Sequence, residues 1–275
     1  MNTVTSKDGT AIAFDRSGAG PPVVLVGGAL STRGAAEPLA ALLDPSFTVY
    51  AYDRRGRGDS SDTPPYEVER EMEDIHALVQ EAGGSAFAFG HSSGGVLALE
   101  TAAHTLGITK LALYEPPFIV DDSRPPVPDD FIERLTELVS TDRRGDAVEH
   151  FMVVGVGAPP EAVAHMRDAP SWPALEAVAH TLPYDMRLMG GHLSGTPLPS
   201  DRWGSVTIPT VVIDGGASPP WLGNAAQGLV DVLPEARRRT IEGQTHDVDP
   251  SLLAPVLEEF FAGRTDFEEA QVYGR

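Results

Sequence analysis

The first 120 residues alternate short apolar runs with helical patterns, and this alternation constrains the fold more than any other feature. The run Val23–Val26 is uninterrupted, with Pro21-Pro22 before it and Gly27-Gly28 after it. Consecutive apolar residues between such breakers suit a strand buried on both faces. Comparable runs at Ala11–Phe14, Phe47–Ala51, Phe87–Phe89 and Leu111–Tyr114 are further predicted strands. Between them Val68, Met72, Ile75 and Val79 recur at helical spacing, and Gly83-Gly84 ends that face. Strand–helix alternation with short Gly-rich turns predicts an α/β protein: a mostly parallel central sheet flanked by helices on both sides.

Around Pro125 the pattern changes, and from there to Trp203 it is helical without a convincing strand. Phe131, Ile132, Leu135, Leu138 and Val139 share one helix face, and Pro159–His165 and Pro173–His180 are further helical stretches. Strand character returns at Thr210–Ile213 and near Arg239–Ile241, with a helix through Ala225–Leu233 between them. Leu252, Leu253, Val256, Leu257, Phe260 and Phe261 form the stripe of a last helix. The expected organisation is one core domain made of residues 1–120 and 205–265, an inserted helical cap at 121–204, and a loosely attached C-terminal tail at 266–275.

Forty acidic against twenty basic residues give a formal charge of −20 in a chain of 275. Nucleic acid and anionic membranes need a basic face, so both are excluded as expected partners. The chain has no cysteine, which removes disulfides, thiolate catalysis and Cys-bearing metal sites. The start MNTVTSKDGT lacks an apolar leader core, and no run is long enough to span a bilayer, so a cytoplasmic location is expected.

The strongest chemical signal is Gly90-His91-Ser92-Ser93-Gly94, directly after the strand Phe87–Phe89 and before the helical run Val96–Ala103. A G-x-S-x-G pattern between strand and helix is a nucleophile elbow: the glycines permit a sharp, crowded turn that presents the Ser92 hydroxyl. Outside that setting the same five residues would be a Gly-Ser loop. A serine hydroxyl needs a base within hydrogen-bond reach. Of eight histidines, His91 sits within the elbow, where packing and hydrogen bonding are its ordinary uses. His76, His104, His165 and His180 fall on predicted helices, and His150 and His192 lie in the insert. His246 differs: the loop Gly243-Gln244-Thr245-His246 joins the last strand to the last helix, at the sheet edge where ligands collect in open α/β folds. It is the expected general base.

Taken together, these features resemble the α/β-hydrolase superfamily over nearly the whole chain. Asp53-Arg54-Arg55-Gly56-Arg57-Gly58-Asp59-Ser60 is similar to the loop after that family's fourth strand, which positions structure and is not itself catalytic. Gly27-Gly28-Ala29 stands where the family carries a His-Gly oxyanion loop, here without the histidine. The resemblance implies that the N–H groups of Ala29 and Ser93 are the oxyanion donors, a device worth about 3 kcal/mol per donor. The family's usual acid follows the strand matching Thr210–Ile213, but this chain reads Asp214-Gly215-Gly216-Ala217-Ser218-Pro219 and puts Ser218 at the expected position. Asp214 ends the strand too early, and Asp247 adjoins the histidine itself. Glu115, in Tyr114-Glu115-Pro116-Pro117, closes the preceding strand at the same edge. Pancreatic lipases and the fungal zearalenone lactonases take their acid from that earlier place. The lactonases are also similar in a Ser-Ser-Gly-Gly elbow and a non-acidic Gly-Ala-x-Pro-type loop. Glu115 is thus the expected acid, with Asp214 or a Ser–His pair lacking a charged acid as the alternatives.

A cap would bring Phe151, Met152, Met166, Trp172, Tyr184 and Met189 over the site, and Leu30 and Trp221 border it from the core. Each can equally be ordinary packing. As a set, these side chains favour a small, largely apolar substrate. Trp172 stands first among them, because a cap tryptophan meets substrate in the lactonases. The resulting expectation is a serine hydrolase that cleaves a carboxylic ester or lactone through an acyl-enzyme, with no cofactor and no metal. A homodimer is left open. Carbon–carbon hydrolysis, cofactor-free peroxidase chemistry and acyl transfer use the same constellation. Epoxide hydrolase and dehalogenase chemistry is disfavoured, because those relatives carry Asp where this chain has Ser92. The competing class is a ligand-binding receptor or pseudoenzyme, motivated by Ser218.

Overall fold

A computed structural model describes residues 1–104 and 107–263. The strands are β1 (Asn2–Thr5), β2 (Ala11–Gly18), β3 (Pro22–Val26), β4 (Thr48–Tyr52), β5 (Ala86–His91), β6 (Ile108–Tyr114), β7 (Thr210–Gly215) and β8 (Ala236–Ile241). They form one eight-stranded sheet in the order β1-β2-β4-β3-β5-β6-β7-β8. β1 and β2 are antiparallel to their neighbours, and the strands from β4 to β8 are parallel. Every strand expected from an apolar run is present. β1 carries no such run: it is a short edge strand that buries only Val4. β8 is longer than its apolar signal because it forms the opposite edge, where Arg237, Arg238 and Arg239 are exposed. Charge on an edge strand discourages pairing with another chain.

Side chains of the inner strands alternate between two cores, as the twofold period of a strand demands. Val23 and Leu25 of β3 face the core completed by α1 (Glu37–Leu43) and α10 (Pro250–Ala262), whereas Val24 and Val26 face the other. Leu253, Val256, Leu257, Phe260 and Phe261 are buried as their spacing requires, but Leu252 of the same predicted stripe is 45% exposed. The opposite face is covered by α2 (Val68–Glu81), α3 (Ser93–His104) and α9 (Pro220–Val232).

Between β6 and β7 the described chain is helical: α4 (Phe131–Ser140), α5 (Arg144–His150), α6 (Pro160–Arg167), α7 (Trp172–Val178) and α8 (Leu182–Leu188). Residues Phe151–Val156, between α5 and α6, form a π-helical stretch. Such turns are rare and recur at functional sites. The insert shares its apolar cluster with α2, α3 and α9, so it packs on the sheet rather than projecting away. Its return strand-ward is pinned where Arg202 and the Trp203 indole both bond to the buried Glu100 carboxylate of α3. Among the described residues, no helix is long and apolar enough to cross a membrane. The tail at 266–275 lies outside the described residues.

Strand order explains where chemistry can gather. From β3 the chain moves outward to β4 and then crosses back to β5 on the other side. The loops after β3 and β5 therefore diverge at their carboxyl ends and leave a crevice between them.

Candidate active site

Ser92 stands between the end of β5 and the start of α3 with φ of 56°. A non-glycine residue in this left-handed region is strained and needs the surrounding structure to hold it. Two bonds do so: the Ser92 N–H donates to the Tyr114 carbonyl at 2.9 Å, and the Ser92 carbonyl accepts from Gly95 at 2.9 Å. The glycines are required by close approach. A Cβ at position 90 would land on the Gly94 carbonyl oxygen, and one at 94 would land on the Val26 carbonyl oxygen. The first N–H groups of α3 open beside Ser92, giving a partial positive end at that point.

Glu115 follows β6 with φ of 45° and is 0% exposed. One carboxylate oxygen accepts from the Gly215 N–H at 2.8 Å, and the other meets His246 Nδ1 at 2.8 Å. Burial raises the pKa of Glu115, but hydrogen bonding from His246 and the Gly215 N–H outweighs it and holds the carboxyl below its ordinary value. Ser218, at the family's usual acid position, stands beside the glutamate in a buried place where its hydroxyl makes no well-formed bond. Asp214 is elsewhere. Its two oxygens form a paired bond with Arg238 at 2.8 Å each, and Thr240 adds a third.

The loop bearing His246 is gripped from below at consecutive carbonyls. The Tyr114 hydroxyl donates to Thr245 at 2.6 Å, and His91 Nε2–H donates to His246 at 2.9 Å. Burial pushes the His91 imidazole down to about 4, which keeps it neutral, and the carbonyl acceptor sets its proton on Nε2. His91 thus packs and bonds as expected of its place in the elbow, its ring 4.8 Å from that of His246. Of the insert histidines, His192 packs against Phe118 and Trp203, and His150 against Phe131.

The loop after β3 approaches Ser92 from the other side. A Cβ on Gly28 would come within 3.0 Å of Ser92 Cβ, and Leu30 has φ of 59°. Among the described residues, no backbone acceptor is paired with the N–H of Ala29 or of Ser93. Behind this loop lies a buried ionic cluster. Arg54 forms a paired bond with Glu71 at 2.7 Å each, Arg54 and Arg57 both bond to Asp185 at 2.7 Å, and Arg57 also reaches the Gly28 carbonyl at 2.6 Å. The Asp53–Ser60 loop is therefore a scaffold. Asp53 accepts the Arg33 and Asp59 N–H groups, and Arg55 pairs with Asp74 and Asp8.

A cavity of about 600 Å³ opens over Ser92 and His246. Gly28, Ala29 and Leu30 line it from the core, and Phe151, Met152, Val156, Met166 and Leu175 from the insert. Val156 and Met166 are 42% and 37% exposed, so they form its lip. Leu30, Phe151 and Met166 are thus brought together with Ser92, whereas Trp172, Tyr184 and Trp221 lie outside this lining. Trp172 is buried in the insert with its indole N–H bonded to Glu176 at 2.9 Å. Tyr184 stacks on Tyr66 with ring centres 3.9 Å apart and donates to Asp62. Trp221 lies under the Arg124 guanidinium at 4.6 Å, and Met189 is fully buried. Each has satisfied its apolar or polar surface locally, which spacing alone cannot foresee. Asp185 was missed from sequence, although a signal exists: it follows Leu182 by three residues and precedes Met189 by four, on the apolar face of α8. A carboxylate on a buried helix face implies a buried cation opposite it.

The comparisons with known proteins agree with this fold. An alpha/beta hydrolase from Sphaerobacter thermophilus DSM 20745 superposes with a TM-score of 0.89 at 60% identity, over 94% of this chain and 100% of that one. A thermophilic esterase from Thermogutta terrifontis gives a TM-score of 0.69 at 20% identity over 95% and 98%, a likeness of fold alone. The non-heme chloroperoxidase CPO-A1 of Kitasatospora aureofaciens is 25% identical over 261 residues, 90% of this chain and 93% of that protein. Residues 23–258 match the alpha/beta hydrolase family, which takes in the elbow, the Glu115–His246 pair and the insert, and the chain belongs to that family.

Proposed function

We propose that the chain is a serine hydrolase acting on a carboxylic ester or lactone of a small, largely apolar molecule. Ser92 attacks the carbonyl while His246 takes its proton. Glu115 fixes the imidazole tautomer and stabilises the imidazolium. The oxyanion of the tetrahedral intermediate is received by the N–H groups of Ala29 and Ser93. Collapse expels the alcohol, to which His246 returns the proton, and water then hydrolyses the acyl-enzyme by the same steps. The observation that carries this reading is the 2.8 Å contact of His246 Nδ1 with a fully buried carboxylate, where His246 lines the same cavity as the strained Ser92. A carboxylate on Nδ1 leaves Nε2 free to act as the base.

The helical insert serves as the cap. Phe151, Met152, Met166 and Leu175 give the cavity apolar walls, and about 600 Å³ suits a compact ester. A fluorophosphonate probe followed by intact-mass measurement tests the assignment: one adduct on the wild type and none on Ser92→Ala. Absence of labelling, or equal labelling of both, favours a receptor or pseudoenzyme instead. The chloroperoxidase relative supports one second reading. Hydrogen peroxide in place of water would release the acyl group as a peracid, so halide oxidation that requires both an ester and Ser92 would identify that activity.

A further inference from the structure

The peptide joining Gly28 to Ala29 is one planar unit, so its C=O and N–H point in opposite directions. Whatever holds the Gly28 carbonyl therefore aims the Ala29 N–H. That carbonyl accepts from Arg57 Nη1 at 2.6 Å and from the Ser31 hydroxyl at 2.7 Å. The loop needs such a hold, because Leu30 follows in a left-handed conformation that a branched side chain disfavours. A cation on the carbonyl also polarises the amide and strengthens its N–H as a donor.

The second donor belongs to Ser93, whose hydroxyl donates to Asp185 Oδ1 at 2.7 Å. Oδ2 of the same carboxylate accepts from Arg57 Nη2 at 2.7 Å. Asp185 is fully buried and lies on α8 of the insert, not in the sheet domain. One carboxylate from the insert therefore reaches both arms of the anion site, one directly and one through a guanidinium whose rigid fork spans the gap. Arg54 and Glu71 complete the cluster, and its two cations balance its two anions.

We propose that Asp185 is a positioning residue that aims both oxyanion donors, so that a competent anion site exists only when the insert is seated. This rests on the acyl-enzyme reading above. The cap then does more than wall the cavity: displacing α8 withdraws the ligand of Arg57 and Ser93 together and lowers transition-state stabilisation before substrate binding is affected.

Three variants test this with a p-nitrophenyl ester and with a trifluoromethyl ketone that adds to Ser92 as a tetrahedral anion. Arg57→Lys keeps the charge but loses the fork. Ser93→Ala cuts the direct arm and leaves the backbone N–H in place, and Asp185→Asn weakens both. Outright loss of an oxyanion donor lowers kcat about 10²–10³-fold, so misaiming is expected to lower it about 10–100-fold for Arg57→Lys and Asp185→Asn, and about threefold for Ser93→Ala. KM stays within about threefold, and ketone affinity falls in step with kcat. Arg55→Lys, which disturbs the buried Asp74 pair away from the site, is the control and is expected to lower Tm with kcat unchanged. Unchanged kcat and ketone affinity in folded Arg57→Lys and Ser93→Ala overturn the inference, as does an equal kcat loss in Arg55→Lys. Those two arms decide the matter if Asp185→Asn does not fold. Failure of wild-type Ser92 to react with fluorophosphonate overturns the hydrolase reading itself, and this inference with it.

Discussion

Replacing Glu115 by glutamine changes one atom in a site whose hydrogen bonds allow no compensation. The Gly215 N–H donates to one oxygen of the side chain, and the other oxygen faces His246 Nδ1, each at 2.8 Å. In Glu115→Gln the carbonyl oxygen must stay with Gly215, because the reverse orientation sets N–H against N–H. The amide nitrogen then donates to Nδ1 and drives the ring proton to Nε2, the atom that should accept from Ser92. Loss of the correct tautomer in a triad costs about 10⁴-fold in kcat, or about 5.5 kcal/mol of transition-state stabilisation. KM should change little, since the carboxylate touches no substrate. Steady-state hydrolysis of a p-nitrophenyl ester, normalised to folded protein, measures both constants. A kcat within tenfold of wild type would refute the reasoning and return the role to Asp214 or to a Ser–His pair. Stability supplies an independent check. The folded pKa of Glu115 lies below its ordinary 4.5, so its carboxylate contributes stability that is present above pH 4.5 and lost as pH falls through the lower folded value. Glu115→Gln should lack that acid-side loss in urea titrations run from pH 6 downward.

Asp214→Asn should lower Tm by removing the charge from the paired bond with Arg238, yet leave ester kcat within about threefold. A larger kcat loss than in Glu115→Gln would exchange the two roles. Because burial depresses the His91 pKa from 6.5 to about 4, the unfolded chain binds a proton that the folded one refuses. Stability should therefore rise with pH across that window by roughly 3 kcal/mol, and His91→Gln should flatten the slope by close to one proton. An unchanged slope in the variant assigns the effect to other groups. Gly94→Ala should give no folded protein, because the added Cβ meets the Val26 carbonyl oxygen. Soluble Gly94→Ala with a wild-type Tm would remove the argument for a crowded elbow.

Local chemistry wrote much of this protein directly into its sequence. Apolar runs bounded by Pro and Gly marked the inner strands, since a strand buried on both faces can carry little else. The Gly-x-Ser-x-Gly turn and the loop holding His246 were legible for a similar reason: a sharp turn at a fixed place in a strand–helix alternation has few alternatives. Glu115 could be named but not separated from Asp214 by sequence, because the choice depends on which carboxylate lies across from an imidazole on another strand. Register in the tertiary structure determines which of the two contacts His246. Asp214 lies beside Thr240 on β8 and is taken by Arg238, while Glu115 passes beyond the strand end toward His246. The cavity walls were the least legible part. Phe151, Met166 and Trp172 have the same apolar character in sequence, yet Trp172 turned into the insert and Glu176, while a π-helical stretch carried Phe151 and Met152 to the cavity. Side-chain direction in a segment of short helices depends on how those helices dock, and no spacing rule encodes it. Asp185 is the clearest case. Its spacing from Leu182 and Met189 was the only trace of it in the sequence, and it passed unread. Only the docking of α8 brought it to Arg57 and Ser93, two residues distant from it in the chain. The order of apolar runs, turn residues and motifs determined what the chain could fold into and which chemistry it could carry. The long-range contacts of buried charges decided which residues meet at the candidate site, because a buried charge must be paired and its partner is set by the fold.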